Sequence, residues 1–429
     1  MNKKIKTRDY FHNRSVIVDY NGVEYPGTFT IAKEDLVLKI DRIEDVEIWR
    51  KSKEDIDCLK ATILDNREKI TCLNCMSAKH SAYTEDGKTV YSTSYHVDRI
   101  IVGYHLDKID SSVVNSIDTS YEDISWFTKH SFYNQKILED KVEMNPFYKE
   151  YILKDKSIIF HMLPSYNGND NQITISTTRG FTVNFKERKT IKESIYYMYF
   201  IKNFLMILGK RDIRITEQSI YIDGVECELI DGYIESYEKI VKDSLLFHLN
   251  NRNPFQIESL TNLEEVIETF EIEYERLTPL LELYYNVVKY KIPSLTRFVN
   301  SITMLEYFSR EYDNDKALER TQNKPRKKSK KEPEFIDRVY SLIENVNDHY
   351  NLEEEEMEKI SKNIKDARTY YIHYEPIGKK LKEQDLFGYT HFIEDTILLN
   401  IYQIIGIDLN HLENISYVGF FYDLEDIIK

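Results

Sequence analysis

No apolar run in the sequence approaches the roughly eighteen residues that a membrane-spanning helix needs. The opening segment, MNKKIKTRDYFHNRS, lacks the apolar stretch of a secretory signal peptide. Cysteine is scarce, with 4 among 429 residues, and its spacing does not suggest a disulfide framework. We therefore expect a cytoplasmic protein with free thiols, and not a membrane-embedded or disulfide-stabilised secreted one.

The sequence also has fewer positively charged than negatively charged residues. Lys and Arg number 58 against 73 Asp and Glu, which gives a net charge of −15. Because a general affinity for the nucleic-acid backbone requires a basic surface, this balance disfavours nonspecific binding of DNA or RNA. A local patch could still bind phosphate, and KPRKKSKK at 324–331 places 6 positive charges in 8 residues. This basic run is interpreted either as a solvated loop or as a phosphate-binding segment.

Apolar and aromatic residues are abundant enough for sizeable cores. The 41% hydrophobic content, with 33 Tyr and 20 Phe, argues against general disorder, and the length predicts two or three domains. In the first half, short runs with period-two alternation, such as LVLKI and KITCLNC, predict strands. Asn21-Gly22 and Pro26-Gly27 predict turns between them. A second β-rich block follows, interrupted by one amphipathic helix over TIKESIYYMYFIKNFLMILGK.

From about residue 259 the hydrophobic periodicity becomes helical. Thr261 and Glu264 have the spacing of a capping box, and Pro279 and Pro293 each predict the first turn of a new helix. A charged stretch, DNDKALERTQNKPRKKSKKEPE, is predicted to interrupt the helices. Four helical segments are predicted after it, and DARTYYIHY is one of them.

The predicted fold class is therefore α+β, with a β-rich N-terminal half followed by an all-α helical bundle. No internal repeat is evident. The predicted domains are a β-rich domain at 1–125, a second β-rich segment with one amphipathic helix at 126–255, and a helical domain at 256–429.

The CLNC segment raises the question of a metal site. Cys72 and Cys75, with His80 nearby, have a spacing that zinc sites use. A four-ligand site needs a fourth ligand, and no second Cys or His pair follows at a suitable distance. KITCLNC also alternates as a strand does, with Cys behaving as a small apolar residue. We therefore favour a structural strand here and predict no metal site.

Arg368 and His373 form an Arg-x-x-x-x-His motif in the segment DARTYYIHYEP. In a chain with 11 His this spacing alone is weak, and a comparable pair, Arg99 and His105, lies in a strand-like segment without evident function. On spacing alone the commoner interpretation is a core or surface histidine and an arginine in an unrelated salt bridge.

The local context of the motif favours a phosphate-handling site. Asn363 or Asp366 could cap a helix, which would place Arg368 in its first turn, where exposed backbone N–H groups favour an anion. Thr369 and His373 are four residues apart and so share a helix face. A guanidinium fork, a hydroxyl and a titratable imidazole would then meet, which suits a phosphodiester.

The chain resembles a known family in four segments. IKDARTYYIHYEP and LKEQDLFGYTHFIEDTILLNIYQIIGID resemble the Arg-x-x-x-x-His helix and the closing helix of HEPN domains of the ApeA-like group. FVNSITMLEYFSREY resembles the first core helix of that group, with its apolar-Leu-Glu signature at Leu305 and Glu306. YPGTFTIAKEDLVLKI and KITCLNC are similar to the β-rich domain that precedes HEPN in ApeA-like proteins.

The resemblance implies a metal-independent endoribonuclease that acts in bacterial antiphage defence by abortive infection and needs no cofactor. The ribose 2′-OH of the substrate would be the nucleophile, with His373 as general acid or base. Arg368 would neutralise charge on the phosphorane, and Glu306 would orient its neighbours. The family often has Asn after the Arg, whereas this chain has Thr369, which hydrogen-bonds without the two-sided geometry of an amide.

Active HEPN domains usually pair, so the resemblance also implies a homodimer or a higher even assembly. The basic run lies between the first and second HEPN helices, so Lys327, Lys328 and Lys330 are predicted to bind RNA, and a phage-derived trigger is a possible partner. The alternative function is a noncatalytic HEPN module that dimerises or binds partners. The intact Arg/His pair favours the enzyme, while the acidic balance and Thr369 favour the module.

Overall fold

The computed structural model describes residues 11–32, 35–121, 124, 136–138, 141–143, 147–169, 172–210, 212–231, 260, 262–289, 292–324, 329–373, 375, 378 and 380–409. The chain forms two compact units. The first comprises Met1–Glu122, Glu143–Tyr199 and Ile215–Leu245, and the second comprises Asp123–Val142, Phe200–Arg214 and Leu246–Lys429. The domain boundaries predicted above, 1–125, 126–255 and 256–429, stay predictions.

The β-rich part of the chain contains strands that are almost all joined in one antiparallel sheet. They are β1 (Arg14–Tyr20), β2 (Val23–Ala32), β3 (Asp35–Ile43), β4 (Ile56–Ile63), β5 (Lys69–Glu85), β6 (Lys88–Val102), β7 (Val114–Tyr121), β8 (Lys136–Leu138), β9 (Lys141–Glu143), β10 (Phe147–Ile152), β11 (Lys156–Asn169), β12 (Gln172–Lys189), β13 (Ile215–Ile222) and β14 (Val225–Asp231). The helices here are α1 (Val46–Lys51) and α2 (Ile191–Gly209).

The first six strands close into a barrel. Their order is β6-β3-β2-β1-β4-β5, and β5 pairs back with β6. The order of the remaining strands, read away from β6, is β14-β13-β7-β12-β11-β10, while β8 and β9 pair only with each other. Alternate residues of β1, namely Val16, Val18 and Tyr20, are buried in the barrel core, as period-two patterning predicts.

The turn predicted at Asn21-Gly22 is present between β1 and β2, with φ values of 55° and 78°. The turn predicted at Pro26-Gly27 is wrong, because both residues lie inside β2 and pair with Ile17 and Val16 of β1. A Cβ at Gly27 would lie 2.7 Å from the carbonyl oxygen of Lys39. This glycine therefore permits a close approach between strands, and the sequence signal was mistaken for a turn.

The CLNC segment is part of a strand, as predicted. Cys72 and Cys75 lie in β5 and are fully buried in the barrel core. Burial raises the pKa of the Cys72 thiol well above its ordinary value. His80 uses both ring nitrogens in hydrogen bonds, Nε2 with Ser77 Oγ at 2.9 Å and Nδ1 with Thr93 Oγ1 at 2.7 Å. The two cysteines therefore pack in the core, and His80 forms hydrogen bonds within the sheet.

The second unit is mostly helical and also contains β8 and most of β9. Its helices are the second half of α2, α3 (Leu263–Lys289), α4 (Ser294–Tyr312), α5 (Asn314–Asn323), α6 (Phe335–Asn345), α7 (Asn347–Tyr350), α8 (Glu354–His373) and α9 (Glu383–Ile404). α9 packs against α4 and α6 and is buried over most of its length. α8 packs against α6 and α4. This arrangement brings the end of α8 to the middle of α4.

Three helix boundaries predicted from sequence are wrong. Pro279 lies inside α3 and does not open a new helix, because Leu277, Leu280 and Leu281 on both sides of it are buried in one core. The charged stretch does not simply interrupt the helices, since its first part forms α5. Pro293 immediately precedes α4, close to its predicted place, and Thr261 of the predicted capping box lies outside the described residues.

The helix that carries Arg368 and His373 also begins at a different place from the one predicted. The segments EEEEMEKISKNI and DARTYYIHY form one continuous helix, α8. Ile360, Ile364 and Ala367 are buried at helical spacing straight through the predicted break. Asn363, a predicted cap, instead donates a hydrogen bond to the hydroxyl of Tyr389 at 2.8 Å. Arg368 therefore lies near the end of a helix, and the predicted anion site at a helix N-terminus is absent from α8.

A buried ion pair joins α4 to α9. Arg297 donates two hydrogen bonds to the carboxylate of Glu394, from Nε at 2.8 Å and from Nη2 at 2.6 Å. Ser301 Oγ donates a third, at 2.9 Å. Glu394 is only 5% exposed. Since α4 also carries Glu306, this pair fixes the helix on which part of the candidate site stands.

We predict that Glu394→Gln destabilises the helical unit. Removing one partner of a buried pair leaves the other charge uncompensated, which costs roughly 3 kcal/mol. Glu311→Gln is the matched control, because Glu311 pairs with Arg276 at 3.3 Å on the surface and its loss costs under about 1 kcal/mol. Thermal unfolding followed by helical circular dichroism measures both. Equal losses in the two variants would contradict the assigned role of the buried pair.

Candidate functional site

The site begins on α4. Phe298, Ile302, Leu305 and Phe308 of this helix are buried at helical spacing. Glu306, next to Leu305 in sequence, therefore lies at the border of the buried face, and its side chain is 22% exposed. A carboxylate in that position is partly desolvated and can bind a cation more strongly than one in open water.

Arg368 of α8 binds this carboxylate. Its Nε donates a hydrogen bond to Glu306 Oε1 at 2.6 Å. The guanidinium also lies over the ring of Phe335 at the start of α6, 4.5 Å from the ring centroid. With 22% of its side chain exposed, Arg368 is held from two sides while part of it still faces solvent.

His373 is the last residue of α8 and is exposed. Arg368 Nη1 lies 2.8 Å from His373 Nε2. Guanidinium nitrogens are donors only, so Nε2 accepts this hydrogen bond and the ring proton lies on Nδ1. The structure thus brings Glu306, Arg368 and His373 into one chain of contacts.

Thr369 does not join these contacts. Its hydroxyl donates to the carbonyl oxygen of Lys365 at 3.0 Å, one turn earlier in α8. Among the described residues it has no hydrogen bond to Arg368 or His373. It shares the predicted helix face with His373, but its hydroxyl is engaged by the helix backbone.

Two described residues after α8, Glu375 and Gly378, lie against the helix beside Arg368. The backbone N–H of Glu375 donates to the carbonyl oxygen of Thr369 at 3.3 Å. A Cβ at Gly378 would collide with the backbone nitrogen of Tyr370 and would lie 2.6 Å from the carbonyl oxygen of Asp366. Only glycine permits so close an approach to the helix backbone.

Two contacts of the site were missed by sequence reasoning. Arg310 Nη2 lies 3.7 Å from Glu306 Oε2. These residues are four apart on α4, so the ordinary rule for helix ion pairs could have found the contact. Phe335 lies 33 residues before Arg368, and no sequence pattern links them. That contact depends on how α6 and α8 pack.

The basic run is only partly described. Lys327 and Lys328 lie outside the described residues. Lys330 Nζ pairs with Glu334 Oε1 at 3.1 Å, and its side chain is 47% exposed. Lys324 pairs with Asp337, which is fully buried. The predicted RNA contacts of Lys327, Lys328 and Lys330 stay predictions.

The part of the chain that the structure describes contains neither a candidate metal cluster nor a candidate membrane span. Within the described ranges, no group of three or more His, Cys, Asp or Glu side chains is arranged to hold a metal ion. No helix in the described part of the chain is long and apolar enough to cross a membrane.

A helical unit with Arg-x-x-x-x-His at the end of one helix is typical of HEPN-type proteins. Family comparison agrees: ApeA N-terminal domain 1 matches residues 19–270, and the Apea-like HEPN domain matches residues 299–410. The first match spans more than half of the chain. The chain belongs to the ApeA-like HEPN proteins, which confirms the predicted family and the α+β fold class.

Comparisons with curated proteins and with solved structures give no further information on the family. The curated proteins gave no match. Among solved structures, the chain is similar to the crystal structure of the Borreliella burgdorferi PlzA protein in complex with c-di-GMP, at 8% identity, 45% of this chain, 90% of that chain and a TM-score of 0.16. So low a TM-score supports no conclusion about fold or ligand. Membership of the ApeA-like HEPN family implies, at family level, a nuclease-type role in antiphage defence.

We predict that His373 carries its proton on Nδ1 in the wild type, because Arg368 offers only donors to Nε2. Arg368→Ala should remove this preference. Nitrogen NMR of protein labelled at histidine distinguishes the two tautomers. Arg310→Ala is the control, since Arg310 contacts Glu306 and should leave the His373 tautomer unchanged. An Nε2-protonated His373 in the wild type would show that the Arg368 contact is wrong.

Proposed function

We propose that this protein is a metal-independent endoribonuclease that acts in antiphage defence by abortive infection. The observation that carries the proposal is the contact chain from Glu306 to Arg368 to His373. It joins a fixed guanidinium, which can stabilise charge on the phosphorane, to an exposed imidazole, which can transfer a proton when an internal hydroxyl attacks a phosphodiester. RNA is the substrate class because only RNA carries the 2′-OH.

The roles follow from the contacts. Glu306 occupies Nε of Arg368, which leaves the Nη groups for a phosphate. The phosphate displaces the hydrogen bond between Arg368 and His373 and so frees Nε2. The 2′-oxygen then bonds to phosphorus as the bond to the 5′-oxygen breaks. One imidazole takes the 2′-OH proton, and a protonated imidazole gives a proton to the leaving 5′-oxygen.

This chemistry favours a composite site. A single imidazole cannot be both unprotonated base and protonated acid at the start of one step, and each chain supplies one Arg368/His373 set. A homodimer, or a higher even assembly, provides two imidazoles across one cleft. The basic run would then guide RNA towards the cleft, and a phage-derived trigger would activate the protein.

The alternative function is a noncatalytic HEPN module, in which the pair formed by Glu306 and Arg368 serves only to join α4 and α8. The two functions differ in what they require of His373. A helix junction does not need an exposed imidazole at the end of α8, whereas the cleavage reaction does.

We predict that His373→Ala lowers RNA cleavage by roughly 10²-fold or more, the usual contribution of general acid–base catalysis. Arg368→Ala should lower it by about 10²–10³-fold, since it removes the main charge-stabilising donor. Purified protein with EDTA present, assayed on RNA, provides the measurement. Arg276→Ala, which removes a surface arginine paired with Glu311, is the control and should retain activity.

Wild-type cleavage that persisted in purified His373→Ala would favour the noncatalytic module. A strict requirement for Mg²⁺ would contradict the mechanism independently, because the proposed reaction uses only the imidazole and the guanidinium.

We further predict that two inactive variants complement each other. A mixed dimer of co-expressed Arg368→Ala and His373→Ala chains keeps one guanidinium and one imidazole. It should regain partial activity if the cleft draws its Arg and its His from different chains, with water taking the part of the missing imidazole at a lower rate. Each variant expressed alone is the control. No recovery would mean that each chain acts with its own set, and a monomer by light scattering at concentrations that cut RNA would refute the composite site.

A further inference from the structure

Arg338 of α6 is a buried charged residue that has no ion-pair partner among the described residues. It is only 7% exposed. Among the described residues its guanidinium donates one hydrogen bond, from Nη1 to Ser309 Oγ at 3.3 Å, and no carboxylate lies within ion-pair distance of it. A guanidinium has five donors and stays protonated in proteins. Most of the hydrogen-bonding capacity of Arg338 is therefore unused within this part of the chain.

Burial and a neighbouring positive charge both make the charged form of Arg338 less favourable. Burial lowers the pKa of Arg338, and the positive charge of Arg310 lowers it further. Glu306, Glu332 and Asp313 act in the opposite direction without contacting the guanidinium. Several other buried charged groups in the described part of this unit have an ionised partner, whereas Asp313 accepts a hydrogen bond from Asn345. Arg297 binds Glu394 through two hydrogen bonds, and Asp337 binds Lys324. Arg338 differs from these pairs, because no anion among the described residues contacts its guanidinium.

Arg338 lies one helical turn from the candidate site on both helices that it touches. On α6 it is three residues after Phe335, which contacts Arg368. On α4 its partner Ser309 is three residues after Glu306, which also contacts Arg368. One turn of α-helix rises ~5 Å. Neighbouring phosphates of a single strand can bridge such a step.

We propose that Arg338, together with Arg310, forms a second phosphate subsite that binds the phosphate next to the scissile one. This inference rests on the proposed function and specifies how the same site holds its substrate. Arg310 is 66% exposed and meets the incoming strand, while Arg338 supplies the buried guanidinium behind it. A phosphate oxygen accepts from the guanidinium fork and completes hydrogen bonds that Ser309 alone leaves open.

If the subsite exists, replacing Arg338 should preserve or raise the stability of the free protein and should weaken RNA binding. Arg338→Met keeps the length of the side chain and removes a buried charge, so the free protein should unfold at the same temperature as the wild type or higher. RNA affinity should fall by roughly tenfold, the usual range for a charge-assisted contact. The probe is a short oligoribonucleotide with 2′-O-methyl groups, which binds without being cut.

Two further measurements, the salt dependence of RNA binding and stabilisation by phosphate, distinguish a specific subsite from the loss of one positive charge anywhere on the unit. The salt dependence of binding should lose about 0.7 in logarithmic slope, the contribution of one phosphate of a single strand. Millimolar inorganic phosphate should raise the unfolding temperature of wild type more than that of Arg338→Met. Arg276→Met is the matched control, because it removes one arginine from the surface of the same unit. It should change neither readout.

Lower stability of Arg338→Met than of the control, or RNA affinity and salt slope equal to those of the control, would overturn the subsite. If wild type cleaves RNA and Arg338→Met binds it equally well, the subsite is wrong and the proposed function stands. If wild type cleaves no RNA but loses phosphate stabilisation in Arg338→Met, the anion site stands and the proposed function fails.

Discussion

The hydrogen bond from Arg368 Nε to Glu306 Oε1 is the interaction on which the candidate site depends. It joins the end of α8 to the middle of α4, and it decides which donors of the guanidinium remain for other partners. With Nε held, Nη1 reaches His373 at 2.8 Å and sets the tautomer of the imidazole. The orientation of both groups is thus established before any substrate binds, which is what efficient charge stabilisation requires.

Two other features of the helical unit hold the elements that carry this contact. The pair of Arg297 and Glu394 fixes α4 against α9, and Gly378 lets the chain after α8 lie against the helix backbone. Because α8 is continuous, the site lies at the C-terminal end of a helix, where the helix dipole disfavours an anion. In the proposed reaction, positive charge for a phosphate must therefore come from side chains, and we assign this role to Arg310, Arg338 and Arg368.

The broad division into a β-rich half and a helical half could be predicted from periodicity, because strands and helices repeat their apolar residues differently. The break predicted before Arg368 could not be corrected from sequence. Asn363 and Asp366 are good caps locally, but burial of Ile364 and Ala367 in the core outweighs that preference. The motif residues Arg368 and His373 were found from spacing and resemblance. Arg338 was not, since its link to Ser309 arises from the packing of α4 and α6.

The central claim is that the site formed by Glu306, Arg368 and His373 cuts RNA by attack of the 2′-OH. The most direct test maps RNA ends in cells that express wild type or His373→Ala and are challenged with phage. The account predicts new ends in the wild type alone, with 2′,3′-cyclic phosphates, or the 2′- or 3′-phosphates derived from them, paired with 5′-hydroxyls. The same new ends in His373→Ala cells, or 3′-hydroxyl ends in the wild type, would contradict it.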